Sequence, residues 1–176
     1  MNRFFKSLLV SASILLLVSC GTDDDDNNNS TQVEGTWKLT AWNSSTPLDL
    51  NEDGTASTNL LDEVNCLNDE TIVFSGENMA TVFSTSYLDI EITLEIGTTD
   101  SYEFDVDCEL EEDTFNLTYT RTVNSIILTE DGDAEGLVGS ISGNQLSFQL
   151  TEEFEIYDEN FNVVDTVDLT IVYTKQ

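Results

Sequence analysis

Histidine is absent from the 176 residues of the chain, and five lysine and arginine residues stand against 35 aspartate and glutamate residues. Without histidine, Ser-His and Cys-His nucleophilic systems and imidazole-containing zinc sites are excluded. A formal net charge of −30 repels DNA, RNA and anionic headgroups, which proteins bind through lysine and arginine. Paired carboxylates can hydrolyse glycosides, but among so many acidic residues such pairs arise by chance. The composition therefore predicts a protein that binds no nucleic acid and is not an enzyme.

Proline occurs once, and no segment after residue 33 shows a sustained helical period. The nearest approach runs from Thr58 to Cys66, which suggests a short helical turn. Elsewhere apolar and polar side chains alternate, as they do in strands with one buried and one solvated face. The apolar members of these runs are Leu88, Ile90, Ile92, Leu94 and Ile96; Tyr102, Phe104, Val106, Cys108 and Leu110; Phe115, Leu117 and Tyr119; Leu146, Phe148 and Leu150; and Phe161, Val163, Val167, Leu169, Ile171 and Tyr173.

Turn-forming residues separate the alternating runs, for example Ser75-Gly76-Glu77-Asn78 and Ser142-Gly143-Asn144. Half-buried strands joined by sequential turns favour an antiparallel sheet over alternating strands and helices. The sequence therefore predicts an all-β fold, an antiparallel up-and-down β-barrel of about eight to ten strands, because closure removes exposed sheet edges.

The N-terminus has the pattern of an export signal. Arg3 and Lys6 precede an apolar stretch at residues 8–18, which is too short to span a bilayer. The run Leu17-Val18-Ser19-Cys20 resembles the bacterial lipobox. This resemblance implies a signal peptide over residues 1–19 and a mature chain that begins at Cys20, acylated with palmitate-like chains. The alternative is an ordinary cleaved signal, which would leave a soluble periplasmic protein.

Residues 20–32 follow as an acidic tether. They include four consecutive aspartates and three consecutive asparagines, which cannot bury apolar area and should stay solvated. By resemblance to bacterial sorting rules, Gly21 directs the lipoprotein to the outer membrane. The acidic run is also similar to signals that send lipoproteins to the cell surface, although a plain spacer would have the same composition. Residues 33–176 then form one domain, which we expect to be monomeric.

Several short motifs of this domain occur in the order seen in a known family. Gly35-Thr36-Trp37-Lys38-Leu39-Thr40 resembles the G-x-W start of lipocalins. Asp49-Leu50-Asn51-Glu52-Asp53-Gly54, Asn59-Leu60-Leu61, Cys66 and the closing Val172-Tyr173-Thr174-Lys175 complete a likeness to the lipocalin-like domain of small Gram-negative lipoproteins. The resemblance implies a closed barrel with Gly35 and Trp37 at its plugged end. It also implies a cation over the Trp37 ring, for which Lys175 is the positional match and Arg121 a second candidate.

Two cysteines remain after the predicted anchor, Cys66 and Cys108. In an exported chain, an even number of cysteines most simply forms disulfides. We therefore expect a Cys66–Cys108 disulfide. Two buried free thiols are the alternative, because Cys108 falls on the apolar face of its run.

One loop has the spacing of a calcium site. Asp49, Asn51, Asp53, Thr55 and Ser57 match the first half of an EF-hand loop, with Gly54 at its turn position. Leu60 stands where the bidentate glutamate should be, so Asp62 or Glu63 would have to complete the shell. Calcium is thus a candidate ligand, and the alternative is a turn in which these side chains bond their own backbone.

The strands on either side of Gly97 carry many carboxylates on their polar faces. Antiparallel pairing should place Asp89, Glu91 and Glu95 opposite members of the set Glu103, Asp105, Asp107 and Glu109. Like charges directly opposite each other destabilise a strand pair. The face could be screened by salt, could gather divalent cations or could dock a basic partner. We predict that stability rises with salt or Ca²⁺.

The barrel interior offers a candidate ligand pocket. Apolar side chains that we expect to face inward are Leu88, Ile90, Ile92, Leu94, Phe104, Val106, Leu117, Tyr119, Phe148, Leu169 and Ile171. The same residues could equally fill a small barrel as a solid core. The sequence therefore favours an outer-membrane lipoprotein that binds a small apolar or amphipathic molecule. The alternative is a calcium-stabilised surface interaction module whose barrel is packed and holds no ligand.

Overall fold

The computed structural model describes residues 33–66, 69–133 and 135–176. The predicted signal peptide, Cys20 and the acidic tether lie outside the described residues. Within the described ranges the chain forms eleven strands and one 3₁₀ turn, Leu60–Asp62, where the sequence suggested a short helical turn. The strands are β1 (Gly35–Leu48), β2 (Ser57–Asn59), β3 (Thr71–Ser75), β4 (Met79–Ser84), β5 (Tyr87–Leu94), β6 (Tyr102–Glu109), β7 (Asp113–Arg121), β8 (Ser125–Glu130), β9 (Leu137–Ser142), β10 (Gln145–Tyr157) and β11 (Val163–Lys175).

Eight of these strands close into a barrel. Their order is β1, β3, β4, β7, β8, β9, β10 and β11, and β11 pairs with both β10 and β1. Every neighbouring pair in the ring is antiparallel. Because successive barrel strands are also neighbours, the barrel is an up-and-down meander, which confirms the predicted fold class. Closure gives each barrel strand two partners and leaves none at a sheet edge.

Period-two alternation builds the barrel core. Ile72 and Phe74 point inward from β3, and Leu146 and Phe148 do so from β10. Gly139 on β9 makes room for the large ring, because a Cβ there would lie 2.6 Å from Phe148 Cε1. The buried members of this core are Val33, Trp37, Leu39, Ile72, Phe74, Ala80, Tyr119, Ile126, Leu128, Ile141, Leu146, Phe148 and Tyr173.

The hairpin β5–β6 departs from the predicted simple meander. It is inserted between β4 and β7 and joins the sheet outside the ring, through a parallel pairing of β5 with β10. That pairing consists of two residue pairs, Ile92 with Ile156 and Thr93 with Tyr157. The apolar face of the hairpin covers a second core built from Leu48, Leu50, Leu60, Val64, Cys66, Ile92, Ile156, Val167 and Leu169. The domain therefore has two hydrophobic cores, one inside the barrel and one under the hairpin.

A disulfide joins Cys66 to Cys108, with a Cα–Cα distance of 6.2 Å. Cys66 lies in the segment before β3 and is buried in the second core, whereas Cys108 lies on β6. The expected disulfide is thereby confirmed, and the alternative of two free thiols is wrong. The bond attaches the hairpin covalently to the segment that precedes β3.

Trp37 closes one end of the barrel. Its side chain is fully buried, and its Nε1 donates a hydrogen bond to the Val33 carbonyl at 2.7 Å. Lys175 Nζ lies 5.8 Å from the centroid of the Trp37 ring, as the family resemblance implied. Arg121 ends β7 at the same end of the barrel, and within the described ranges its Nε and Nη2 are buried without a hydrogen-bond partner.

Within the described ranges, no helix combines the length and the hydropathy that crossing a membrane requires.

Gly35 allows Lys175 to reach the Trp37 ring. Gly35 has a φ of +122°, and a Cβ at this position would lie 3.3 Å from Lys175 Cε. We expect Gly35→Ala to lower the free energy of unfolding by about 1–3 kcal/mol through backbone strain, with a further loss from displacement of Lys175. Urea denaturation measures the change.

Gly54→Ala is the matched control, because Gly54 also has a positive φ (+87°) but a Cβ there meets no atom within 4 Å. The excess loss in Gly35→Ala should disappear in a Lys175→Ala background. Equal losses in the two glycine variants would contradict this role for Gly35.

The outer face of the hairpin pairs like charges at two of the predicted positions. The prediction for Glu95 is wrong, because β5 ends at Leu94 and the Glu95 N–H bonds the Ser101 carbonyl instead. Asp89 lies opposite Asp107, and Glu91 lies opposite Asp105. All four side chains are exposed. The pairing therefore carries a repulsion that salt can screen.

Asp107→Lys should remove this repulsion from the pair with Asp89 and replace it with attraction. We expect a gain in the free energy of unfolding of about 0.2–1 kcal/mol at low salt, and the gain should shrink in 1 M NaCl because screening is then nearly complete. Glu159→Lys is the control, since Glu159 lies in the exposed turn between β10 and β11. If both variants gain equally at every salt concentration, the cross-strand repulsion is not the cause.

Candidate functional site

The end of the barrel opposite Trp37 contains a cavity of about 280 Å³. Its wall is apolar and comes from seven of the barrel strands. The apolar lining residues are Ile72, Val82, Leu117, Leu128, Leu137, Phe148 and Ile171. Ile72, Leu128 and Phe148 also belong to the buried barrel core. The cavity is therefore the part of the barrel interior that lies away from the Trp37 plug.

The rim of the cavity is acidic. Glu130 at the end of β8 and Asp133 and Glu135 in the β8–β9 loop also line the cavity, and all three are exposed. Gly136 lets this loop return tightly against β8, because a Cβ there would lie 2.6 Å from the Leu128 carbonyl oxygen. The close return places Glu135 and Leu137 at the mouth.

A second cavity of about 240 Å³ lies between the barrel mouth and the hairpin. Ile171 lines both cavities, so the two spaces meet at one side chain. The remaining residues of the second cavity are Leu39, Trp42, Glu70, Ser84, Ser86, Tyr87 and Leu88.

Glu70 and Tyr173 connect the two spaces. Tyr173 lines the first cavity and Glu70 the second, and the Tyr173 hydroxyl donates a hydrogen bond to Glu70 Oε1. Burial raises the pKa of the Glu70 carboxyl, and the hydrogen bond from Tyr173 partly opposes that rise. Burial and the neighbouring Glu70 carboxylate raise the pKa of Tyr173 far above its usual range. Sequence reasoning missed Glu70, because its position directly before a strand does not distinguish it from the other acidic residues.

The predicted pocket residues divide between the two cores. Leu117, Phe148 and Ile171 line the barrel cavity, and Tyr119 lies in the barrel core away from the cavity lining. The expectation that the other residues face the barrel interior is wrong, because they pack in the second core. These are Leu88, Ile90, Ile92, Leu94, Phe104 and Val106 of the hairpin, and Leu169 of β11. Leu88 nevertheless reaches the site, since it lines the second cavity.

In the candidate calcium loop, the side-chain oxygens accept hydrogen bonds from the backbone N–H groups of the loop itself. Asp49 accepts from the Asp53 N–H at 3.0 Å and from the Gly54 N–H at 2.9 Å. Asn51 Oδ1 accepts from the same Asp53 N–H, and Asp53 Oδ1 accepts from the Thr55 N–H, each at 2.9 Å. This arrangement favours the alternative of a self-satisfied turn.

Asp62 and Glu63 lie beyond this loop. The hydroxyl of Ser57 and the amide of Asn59 bond Asp62 Oδ2 at 3.5 and 3.3 Å, and Glu63 is buried with its Oε2 unpartnered within the described ranges. The part of the chain that the structure describes has no group of three acidic or cysteine side chains arranged to hold a metal ion. The described side chains therefore do not form a calcium shell as they stand, and calcium binding stays a prediction.

Comparison of the chain with protein-family models, with curated proteins and with solved structures found no match. The likeness to lipocalin-like lipoproteins therefore stays a prediction. Its physical support is the closed antiparallel ring and the Trp37–Lys175 contact.

Glu70 should make stability depend on pH. Its pKa is raised above 4.5 in the folded state, so the folded protein holds this proton at pH values where the unfolded chain has lost it. Ionisation of Glu70 therefore lowers stability as the pH rises above 4.5. We expect Glu70→Gln to match the unchanged protein at about pH 4 and to become progressively more stable than it towards about pH 8. Thermal unfolding across this pH range measures the difference.

Glu34→Gln is the control, because Glu34 is exposed at the plugged end and its substitution removes the same charge. A stability difference between Glu70→Gln and the unchanged protein that stays constant with pH would contradict the raised pKa of Glu70.

Proposed function

We propose that this protein is a lipid-anchored outer-membrane protein with a lipocalin-like barrel that binds a small apolar or amphipathic molecule and carries out no reaction on it. The cavity at the barrel mouth supports this proposal most directly. Small barrels often fill their interior with side chains, whereas this barrel keeps about 280 Å³ open above Phe148.

The size and lining of the cavity suit a small ligand. Pockets for small molecules usually measure about 300–1,000 Å³ and are mostly apolar with a few placed polar groups. The barrel cavity lies just below that range, and a separate cavity of about 240 Å³ lies on the other side of Ile171. The apolar wall and acidic rim of the barrel cavity match a ligand with an apolar body and a polar end.

The position of the plug fits a membrane anchor on one side and a ligand on the other. The described chain begins at Val33, which bonds Trp37 at the plugged end. An acylated Cys20 would be joined to that end through the acidic tether, so the attachment point would lie at the opposite end of the barrel from the mouth.

The groups around the cavity support binding rather than catalysis. Its ionisable lining residues are carboxylates and Tyr173, and the adjoining space adds Glu70, Tyr87 and two serines. The chain has no histidine to activate a serine. The Glu70–Tyr173 bond joins two side chains whose pKa values are both raised by burial, which favours the neutral form of each.

Filling the cavity should abolish binding. Val82 lines the cavity from β4, so Val82→Phe places a ring in the ligand space. We expect affinity for the neutral dye N-phenyl-naphthylamine to fall by about tenfold or more, which corresponds to about 1.4 kcal/mol. Fluorescence titration of the delipidated domain measures the dissociation constant.

Val138→Phe is the matched control, since Val138 lies on β9 with 59% of its surface exposed. This variant should bind the dye as the unchanged protein does, and circular dichroism should show the same β-rich spectrum for both variants. Equal dye binding by the two variants, or no dye binding by the unchanged protein, would contradict the proposed function.

A further inference from the structure

The charged groups around the two cavities all have one sign. Glu130, Asp133 and Glu135 surround the barrel mouth, and Glu70 lies on the wall of the adjoining space. Among the described residues, neither cavity has a lysine or arginine in its lining. A ligand held at either end therefore meets carboxyl groups and no cation.

The cations of the described residues lie elsewhere. Lys38 forms a salt bridge with Asp69 at 3.1 Å. Arg121 and Lys175 end their strands at the plugged end, opposite the mouth. None of these three side chains is placed to neutralise an anionic group in the cavity.

This distribution decides which head group the site can accept. A carboxylate or phosphate drawn to the apolar cavity would lose hydration and approach like charges, both of which oppose binding. An ammonium group would lose similar hydration but gain attraction from several carboxylates at once. Resting on the proposed function, we infer that the site selects an apolar molecule that carries an ammonium group and rejects the carboxylate of equal chain length.

The ammonium group binds at the acidic rim of the barrel cavity. Glu130, Asp133 and Glu135 are exposed, whereas Glu70 is already engaged by the Tyr173 hydroxyl. Burial also raises the pKa of Glu70, which favours its neutral form. The apolar body of the ligand then lies against Phe148 and Ile171, with its charged end between the carboxylates of the β8–β9 connection.

Three probes of equal chain length separate charge from apolar contact. Octylamine, octanol and octanoate are titrated against the delipidated domain at neutral pH, with displacement of N-phenyl-naphthylamine as the readout. We expect octylamine to bind at least about tenfold more tightly than octanoate, or about 1.4 kcal/mol, with octanol between them. The advantage of the amine should shrink in 1 M NaCl, where the Debye length falls to about 3 Å.

A double variant locates the selectivity. Glu130→Gln with Glu135→Gln removes two rim charges and should abolish most of the preference for octylamine over octanoate. Glu34→Gln with Glu77→Gln is the matched control, because both residues are exposed at the plugged end and the change in net charge is the same. Retention of the full amine preference in the rim variant would overturn the assigned position of the head group.

The outcomes distinguish the two claims. Tight binding of octanoate, or equal binding of the three probes, would overturn the ammonium preference and leave the proposed function standing. If neither the dye nor octanol nor octylamine binds, the proposed function fails and the ligand class fails with it. Tighter binding of octylamine that depends on the rim charges supports both.

Discussion

The pairing of β11 with both β1 and β10 is the constraint on which the rest of the structure depends. It converts a meander of half-buried strands into a ring, so that one apolar face is enclosed and the acidic face is left in water. Trp37 and Lys175 are themselves a register pair across this seam. The plug, the barrel core and the cavity at the far end therefore all require the same closure.

The sequence predicted the parts of this arrangement that follow from local pattern. Alternation at residues 88–96 and 146–150 correctly identified strands, and the motif around Trp37 correctly identified the plug and its lysine. The like-charge pairs Asp89–Asp107 and Glu91–Asp105 also followed from keeping the apolar faces of two neighbouring strands together. These features depend on residues close in sequence or on the motif around Trp37.

The sequence could not predict which surface each apolar face covers. Period-two alternation shows that one face of a strand is buried. The alternation around Ile90, on the external hairpin, does not differ from the alternation around Phe148, inside the barrel. Glu70 was missed for a related reason. Its burial and its bond to Tyr173 arise between residues 103 positions apart, and no local pattern marks such a contact.

The hairpin has a further consequence through the way it is attached. Two residue pairs, one disulfide and the apolar contacts of the second core fasten it beside the barrel, and its residues Tyr87 and Leu88 form part of the wall of the smaller cavity. Thiol reductants would release this covalent link, which lies outside the eight-stranded ring. The wall of the smaller cavity is thus partly held by a bond that an oxidising environment maintains, whereas the barrel cavity is lined without either of these cysteines.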